Sequence, residues 1–342
     1  YRFNGYIHVK AIPGAPDELL SRAGYLADRV SINLELPTAQ SLSKLAPNKS
    51  FKTILEPMEK ITGTIAANRL ALGKEARMER SSINRYLTGS IFNQNGTDNG
   101  QAALSGTQRT ALESGDKLSL PAASKDMCVK RPFAPAGQST QMIIGATPET
   151  DLTLIRTTQH LYKNYDLKRV FYSAYIPLNE DSALPQLDAD VPLLREHRLY
   201  QADWLLRFYG FQADELLSES RPNFNEQLDP KCDWAIRHLG QFPVEVQNAS
   251  YDMLLRIPGI GPKSARRIVE TRRYAKLDFD ILKKIGVVLK RAHYFITCNG
   301  RMMYRIPIEE SYITSCLTDD NHKENWEITH QNEKYHQLSL FE

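Results

Sequence analysis

The chain contains few cysteines and places them far apart. Its 342 residues include four, at positions 128, 232, 298 and 316. Structural zinc sites and small disulfide-stapled domains need closely spaced cysteines, so this spacing excludes a C-x-x-C metal site and a disulfide framework. We therefore expect free thiols, no metal bound by this chain and a location in the reducing cytoplasm.

Long apolar runs and an excess of one charge are also missing. No stretch approaches the roughly 18 apolar residues that span a bilayer, so we expect a soluble protein with no membrane partner. The 43 basic and 40 acidic residues nearly balance, so net charge indicates no polyanionic partner. The chain starts at Tyr1, without an initiator methionine, and runs directly into a strand-like segment, so we expect a fragment of a longer protein.

Positive charge is concentrated in one segment instead. Between residues 256 and 276, seven basic residues accompany one acidic residue, Glu270. A basic cluster confined to one module of a nearly neutral protein is typical of nucleic-acid contact, although a solvated helix face gives the same pattern. The seven are Arg256, Lys263, Arg266, Arg267, Arg272, Arg273 and Lys276.

The same segment has the glycine pattern of two short helices joined by a hairpin. Residues 254–269 read LLRIPGIGPKSARRIV. The pattern predicts positive φ angles at both hairpin glycines and a helix that starts at Pro262, with its amides facing an anion. It resembles the helix-hairpin-helix element of DNA repair proteins, which holds the DNA backbone without reading bases. The predicted DNA-binding residues are Gly259, Gly261, Lys263, Ser264, Arg266 and Arg267.

A second hairpin is predicted over residues 279–292, where Gly286 interrupts two helical patterns. Its apolar residues recur at helical spacing and should face a core shared with the first hairpin. We expect this unit to give packing support rather than direct phosphate contact. The apolar positions are Leu282, Ile285, Leu289 and Ala292.

The first half of the chain reads as repeated βα units, which predicts a parallel sheet. Strand-like runs lie at residues 6–12, 30–36, 141–146 and 170–178, and one face of these strands is polar. A barrel with such a lining suits a polar ligand, while buried hydrogen bonds or an open sheet edge are the alternatives. Glu35 is the strongest candidate, and the full set is Lys10, Asn33, Glu35, Gln141, Gly145, Ser173 and Tyr175.

Composition indicates four regions along the chain. Residues 1–178 are predicted to form a partial βα barrel, interrupted at about 92–130 by an insert too poor in bulky apolar residues to fold stably. The segment 179–196 is rich in proline and acidic residues and reads as a linker. An all-α domain with tandem hairpins is predicted over 197–300, and a polar tail over 301–342.

Four stretches together resemble one family. They are residues 5–15 (GYIHVKAIPGA), 31–38 (SINLELPT), 135–151 (PAGQSTQMIIGATPETD) and 193–211 (LLREHRLYQADWLLRFYGF). These stretches resemble DNA modification or repair proteins of the radical SAM superfamily, in which helix-hairpin-helix repeats follow a partial parallel barrel. The resemblance implies two cofactors, S-adenosylmethionine and a [4Fe–4S] cluster held by a C-x-x-x-C-x-x-C loop. In that superfamily the cluster donates an electron that generates a 5′-deoxyadenosyl radical.

The chain departs from this family at the cluster loop. No C-x-x-x-C-x-x-C sequence is present, and the four strands would be the last four of a six-stranded barrel. The cluster ligands are therefore expected outside this chain, and no catalytic residue is assigned. By resemblance, strands 31–36 and 141–146 would approach S-adenosylmethionine, and Ser173 and Tyr175 would border adenine or substrate.

The last residues match a peptide that docks on a partner. Gln337-Leu338-Ser339-Leu340-Phe341 resembles the motif by which bacterial replication and repair proteins bind the sliding clamp. Leu340 and Phe341 would supply apolar contacts and Gln337 a polar one, and Leu338 belongs to the same predicted partner-binding set. A chance pentapeptide or an added edge strand would give the same sequence.

Three functions remain open at this point. The first is a radical SAM enzyme that acts on DNA held by the hairpins. The second is a non-catalytic DNA-binding and sliding-clamp adaptor, and the third is a small-molecule radical SAM enzyme with a structural helical appendix.

Overall fold

A computed structural model describes residues 5–72, 132–178 and 182–318. The chain divides into two compact units, Tyr1–Phe224 and Asn225–Glu342. The predicted insert lies outside the described residues, as does the clamp-like motif. Among the described residues, no helix is long and apolar enough to cross a membrane.

The first unit contains a parallel four-stranded sheet in the order β1-β2-β3-β4, which confirms the predicted α/β class. Within the described residues, neighbours in the sheet are also successive strands, as expected when a crossover connection makes two strands parallel. The strands are β1 (His8–Lys10), β2 (Arg29–Ser31), β3 (Gln138–Ile144) and β4 (Arg169–Ala174).

Six helices of the first unit are described. Hydroxyl side chains cap three of them, since Thr38, Ser50 and Thr150 each accept a hydrogen bond from a backbone amide of the first turn. The helices are α1 (Asp17–Leu26), α2 (Ala39–Leu45), α3 (Phe51–Ala71), α4 (Asp151–Tyr165), α5 (Leu193–Phe208) and α6 (Ala213–Leu216).

The sheet has one mainly apolar face and one more polar face, as the alternation of residues predicts. Val30, Ile32 and Leu34 are buried, as are Met142 and Ile144 of β3. On the opposite face, polar residues of neighbouring strands lie in register. Lys10 of β1 pairs with Ser31 of β2, which pairs with Ser139 of β3. The sheet thus leaves polar side chains of neighbouring strands side by side.

The first unit extends beyond the boundary that the sequence predicts at residue 178. Helix α5 packs on β4, where the Tyr200 hydroxyl donates to the Tyr172 carbonyl oxygen (2.8 Å) and accepts from its amide (3.0 Å). Glu196 Oε2 accepts from the Ala174 amide at 2.6 Å. These contacts explain why α5, predicted to begin the helical domain, belongs to the α/β unit.

The second unit is mostly helical but also contains a two-stranded parallel sheet, which the sequence did not predict. Strands β5 (Val244–Glu245) and β6 (Ile296–Thr297) pair before and after the hairpin region and so join its two ends. Part of the predicted polar tail is helical. The helices are α7 (Pro230–Arg237), α8 (Tyr251–Arg256), α9 (Pro262–Thr271), α10 (Phe279–Lys284), α11 (Leu289–Ala292) and α12 (Glu310–Thr318), with a 3-10 turn at Leu239–Gln241.

Candidate nucleic-acid interface

The first hairpin connects α8 to α9 through residues 257–261. Gly259 has a φ of +82°, as predicted. The prediction of a positive φ at Gly261 is wrong, since its φ is −101° and its ψ is 175°. The reason is Pro262, because the residue before a proline is forced towards extended backbone. Gly259 alone therefore makes the left-handed turn.

Gly259 also allows the second hairpin to approach closely. Its carbonyl oxygen accepts a hydrogen bond from the Val288 amide at 2.9 Å. A Cβ atom placed on Gly259 would lie 2.4 Å from the Val288 carbonyl oxygen and 3.2 Å from the Ala292 amide nitrogen. A side chain at this position would force the two hairpins apart.

The N-terminus of α9 presents backbone donors at the hairpin. The first helical bond runs from the Ala265 amide to the Gly261 carbonyl oxygen at 2.8 Å. Within the described parts of the chain, the amides of Gly261, Lys263 and Ser264 have no protein acceptor. Because the positive end of the helix dipole lies here, these amides form a site suited to an anion.

The side chains of α9 separate into a buried and a basic face. Ala265 and Ile268 are buried, while Lys263, Arg266 and Arg267 are exposed. Arg266 Nε lies 3.4 Å from Glu270 Oε1, but both side chains are more than half exposed, so this ion pair is weak. Lys263 and Arg266 are therefore available to a phosphate.

Two of the predicted DNA-binding side chains contact the second hairpin instead. Ser264 is buried, and its hydroxyl donates to the Gly286 carbonyl oxygen at 2.8 Å. Arg267 Nη1 donates to the Ile285 carbonyl oxygen at 3.0 Å. We therefore assign these two side chains to holding the hairpins together, which leaves the Ser264 amide as that residue's contribution to an anion site.

The second hairpin repeats the turn of the first. Gly286 has a φ of +94°, and Lys283, Lys284 and Lys290 are exposed around it. Its contacts with Gly259, Ser264 and Arg267 agree with the predicted role in packing support. Leu282 and Ala292 are buried as predicted, whereas Ile285 and Leu289 are only partly covered.

Two residues at the start of α7 support both hairpins, and the sequence analysis missed them. Lys231 is buried, and its Nζ donates to the Ile260 carbonyl oxygen at 2.6 Å. The pKa of Lys231 is lowered to about 7, chiefly by burial; Asp229 opposes this effect, and the charges of Arg256 and Arg291 add to it. Asp229 caps α7 and accepts from Arg291 Nη1 at 3.0 Å. Lysine is seldom buried, so no pattern indicates this role.

The α/β unit brings several of the predicted ligand residues together. Asn33 Nδ2 donates to Gln141 Oε1 at 3.1 Å across β2 and β3. Lys10 is exposed at the edge strand, and Ser173 lies in register with Ile143 on the neighbouring strand. These residues share the more polar face of the sheet, where Asn33 is buried and Gln141 and Ser173 are half-buried.

Glu35 has an unusual backbone conformation. Its φ is 68°, in the left-handed region that residues other than glycine and asparagine rarely adopt. Both backbone groups of Glu35 form hydrogen bonds with β3. Its amide donates to the Gln141 carbonyl oxygen at 2.9 Å, and its carbonyl oxygen accepts from the Ile143 amide at 2.7 Å. Its carboxylate contacts Lys49 Nζ at 3.2 Å, a residue that the sequence analysis did not single out. The neighbouring strand therefore holds a strained residue in place.

The strand ends beside Glu35 contain the remaining candidates. Gly145 has a φ of +86°. The Tyr175 amide donates to the Ile144 carbonyl oxygen at 2.8 Å. Glu149, also missed, accepts from the Thr38 hydroxyl at 2.8 Å. Burial opposes ionisation of Glu149, but hydrogen bonds from Ser41, Thr147 and Thr38 lower its pKa. The carboxylate of Glu149 is thus held in its charged form between β3 and α4.

The described residues do not supply a metal or cluster site. Within them, no three His, Cys, Asp or Glu side chains are grouped so as to hold a metal ion. Cys232 and Cys298 are buried, and Cys316 is partly exposed. The residues present therefore do not fit the [4Fe–4S] cluster that the resemblance implies.

Comparison with known proteins identifies one motif. Residues 244–271 match the family model of the helix-hairpin-helix motif, a DNA-binding motif. No curated protein and no solved structure matches the chain. The match covers β5, α8, the first hairpin and α9, which is the segment that carries the basic side chains and the amides without an acceptor among the described residues.

Proposed function

We propose that the second unit binds the sugar-phosphate backbone of duplex DNA through the first hairpin. The observation that carries this proposal is the N-terminus of α9, where three amides without an acceptor among the described residues lie beside the exposed Lys263 and Arg266. A phosphate at this position would accept from the amides and be attracted by both side chains.

Binding of this kind has no base preference. Amides at a helix end and flexible basic side chains recognise phosphate oxygens, which are the same at every base pair. Affinity should therefore depend on salt and not on sequence.

Replacing Lys263 and Arg266 together by Gln should weaken binding about tenfold or more, since two phosphate contacts are lost. The measurement is fluorescence anisotropy with two labelled duplexes of unrelated sequence. The wild-type protein should bind both with equal affinity, and the variant should lose affinity for both by the same factor.

The matched control replaces Arg273 and Lys276 by Gln. These residues are exposed in the same unit, and their replacement removes the same amount of charge. They follow the C-terminal end of α9 and so lie away from the hairpin. A helix of this length places them about 15 Å from the hairpin. An equal loss of affinity in the control would assign binding to general charge and not to the hairpin.

A second candidate function concerns the α/β unit. We propose that its polar strand ends bind S-adenosylmethionine, in an enzyme that acts on DNA. The observation in favour is the strained Glu35, because strained backbone is often retained where a side chain must face a ligand. The carboxylate and the amides of Asn33 and Gln141 offer acceptors and donors to the amino and hydroxyl groups of this cofactor. The cluster has no ligands in the described residues, so no radical step is derived.

This second candidate predicts that Glu35→Asn weakens binding of S-adenosylmethionine about tenfold or more, since a hydrogen bond to a charged group is lost. Asparagine tolerates the left-handed backbone, so the thermal unfolding midpoint should change little. Isothermal titration calorimetry measures the binding, with Glu56→Asn on the exposed face of α3 as the control. Absence of binding by the wild-type protein would reject the candidate.

A further inference from the structure

A cavity in the second unit is lined by residues that follow β6 in the chain, outside the first hairpin. It has a volume of about 860 Å³ and opens to solvent after β6. Among the described residues that line it, none is acidic and two of the five are arginines. The lining residues are Arg301, Met302, Tyr304, Arg305 and Ile306.

A tight turn fixes the start of this segment. Asn299 and Gly300 both have positive φ angles, and Cys298 and Arg301 exchange two backbone hydrogen bonds across the turn. Glu245 of β5 accepts from the Gly300 amide at 2.8 Å and from the Asn299 amide at 3.2 Å. Burial opposes the charge on Glu245, but these hydrogen bonds lower its pKa, so the turn is held at neutral pH. These hydrogen bonds therefore fix the backbone position of Arg301, at the start of the cavity lining.

The aromatic ring of the cavity is fixed by the second hairpin. Tyr304 packs edge-to-face against His293, with ring centroids 5.4 Å apart and an angle of 87° between planes. His293 in turn bonds through Nδ1 to the Leu289 carbonyl oxygen of α11 at 2.7 Å. Tyr304 is nonetheless 54% exposed. An aromatic ring that is both exposed and held in place can serve as a stacking surface.

The two arginines of the cavity are available for a ligand. Among the residues that the structure describes, no carboxylate lies within ion-pair distance of the guanidinium of Arg301 or Arg305. In the same unit, Arg266 and Arg291 do have carboxylate partners. Two uncompensated cations beside a fixed aromatic ring favour a ligand that combines negative charge with a flat ring.

We propose that this cavity binds an unpaired nucleic-acid strand, with one base stacked on Tyr304 and the flanking phosphates held by Arg301 and Arg305. Nucleotides supply both a planar base and a phosphate at each step, and single-strand sites commonly combine aromatic rings with basic groups. An acidic peptide would use the arginines but gain little from the ring. The proposal rests on the hairpin interface, because the duplex held there would bring an unpaired strand to the same unit.

The test compares a labelled single-stranded dT10 with a labelled duplex by fluorescence anisotropy. Tyr304→Leu should weaken binding of dT10 about fivefold or more, the effect of losing one stacked base, and change duplex binding little. The matched control is Tyr274→Leu, since Tyr274 is 90% exposed in the same unit but far along the chain from the cavity. Unlabelled dTMP and an oligo-glutamate peptide serve as competitors.

Each outcome decides the proposal. It is supported if Tyr304→Leu weakens dT10 binding selectively and neither dTMP nor oligo-glutamate displaces dT10 as well as unlabelled dT10 does. Equal effects on dT10 and duplex, no effect, or an equal loss in Tyr274→Leu would overturn it. Displacement by dTMP would indicate a mononucleotide site, and displacement by oligo-glutamate a site for acidic peptides. Lys263→Gln with Arg266→Gln tests the hairpin separately, since it should weaken duplex binding whichever result Tyr304 gives.

Discussion

Replacing Gly259 by Ala is expected to destabilise the second unit by about 2–5 kcal/mol, from the strain of left-handed backbone and from overpacking. Gly259 has a φ of +82°, and the new Cβ would lie 2.4 Å from the Val288 carbonyl oxygen. That atom belongs to the backbone, so the second hairpin must move as a whole. Hydrogen exchange of peptides covering residues 251–296 measures the loss, and duplex affinity should fall with it.

Gly300→Ala is the matched control for this prediction. Gly300 has a φ of +71°, but a Cβ atom there would meet nothing within 4 Å. The control therefore introduces the backbone strain alone, which we expect to lower stability by about 1–2 kcal/mol. Equal losses in the two variants would show that the close approach of the hairpins contributes nothing.

Asp203→Ala is expected to destabilise the first unit by about 3–5 kcal/mol, because it leaves a buried charge without its partner. Asp203 is fully buried on α5, and its Oδ2 accepts from Arg207 Nη2 at 2.7 Å and Nε at 3.0 Å. Oδ1 accepts from the hydroxyl of Tyr162, which itself accepts from the Val170 amide at 3.1 Å. The carboxylate thus connects α5, α4 and β4.

Urea denaturation measures the loss in the free energy of unfolding. Hydrogen exchange of peptides from residues 151–208 shows whether the loss is located in the first unit. Asp214→Ala is the control, since Asp214 also pairs with an arginine, Arg156, but at the exposed surface. Solvent screens such a pair, so its loss should change stability little. If both variants had the same small effect, the buried pair would not be important for this unit.

The hairpin was largely predictable because its geometry is local. A glycine between a proline and a branched residue indicated the turn at Gly259, and Pro262 marked the start of α9. The same proline should have excluded a positive φ at Gly261, because its effect on the preceding residue is steric and depends on no distant contact. The parallel sheet was predictable for a similar reason, since alternation and helical crossovers are visible in sequence.

Other parts of the site depend on contacts distant in sequence. Ser264 and Arg267 read as DNA ligands until the second hairpin, some 20 residues later, is seen to accept their hydrogen bonds. Lys231 is buried against the Ile260 carbonyl oxygen, and nothing in its neighbours on the chain indicates burial. The strained backbone of Glu35 depends on its hydrogen bonds to β3, more than 100 residues later, and its carboxylate contacts Lys49 between α2 and α3.

The salt dependence of duplex binding tests the central claim most directly. Contact with the backbone through the first hairpin predicts that the logarithm of the association constant falls linearly with the logarithm of salt concentration. The slope should be smaller by about one for each contact removed when Lys263 and Arg266 are replaced by Gln, and unchanged when Arg273 and Lys276 are replaced. A slope that is the same in the wild-type protein and in the hairpin variant would contradict the account.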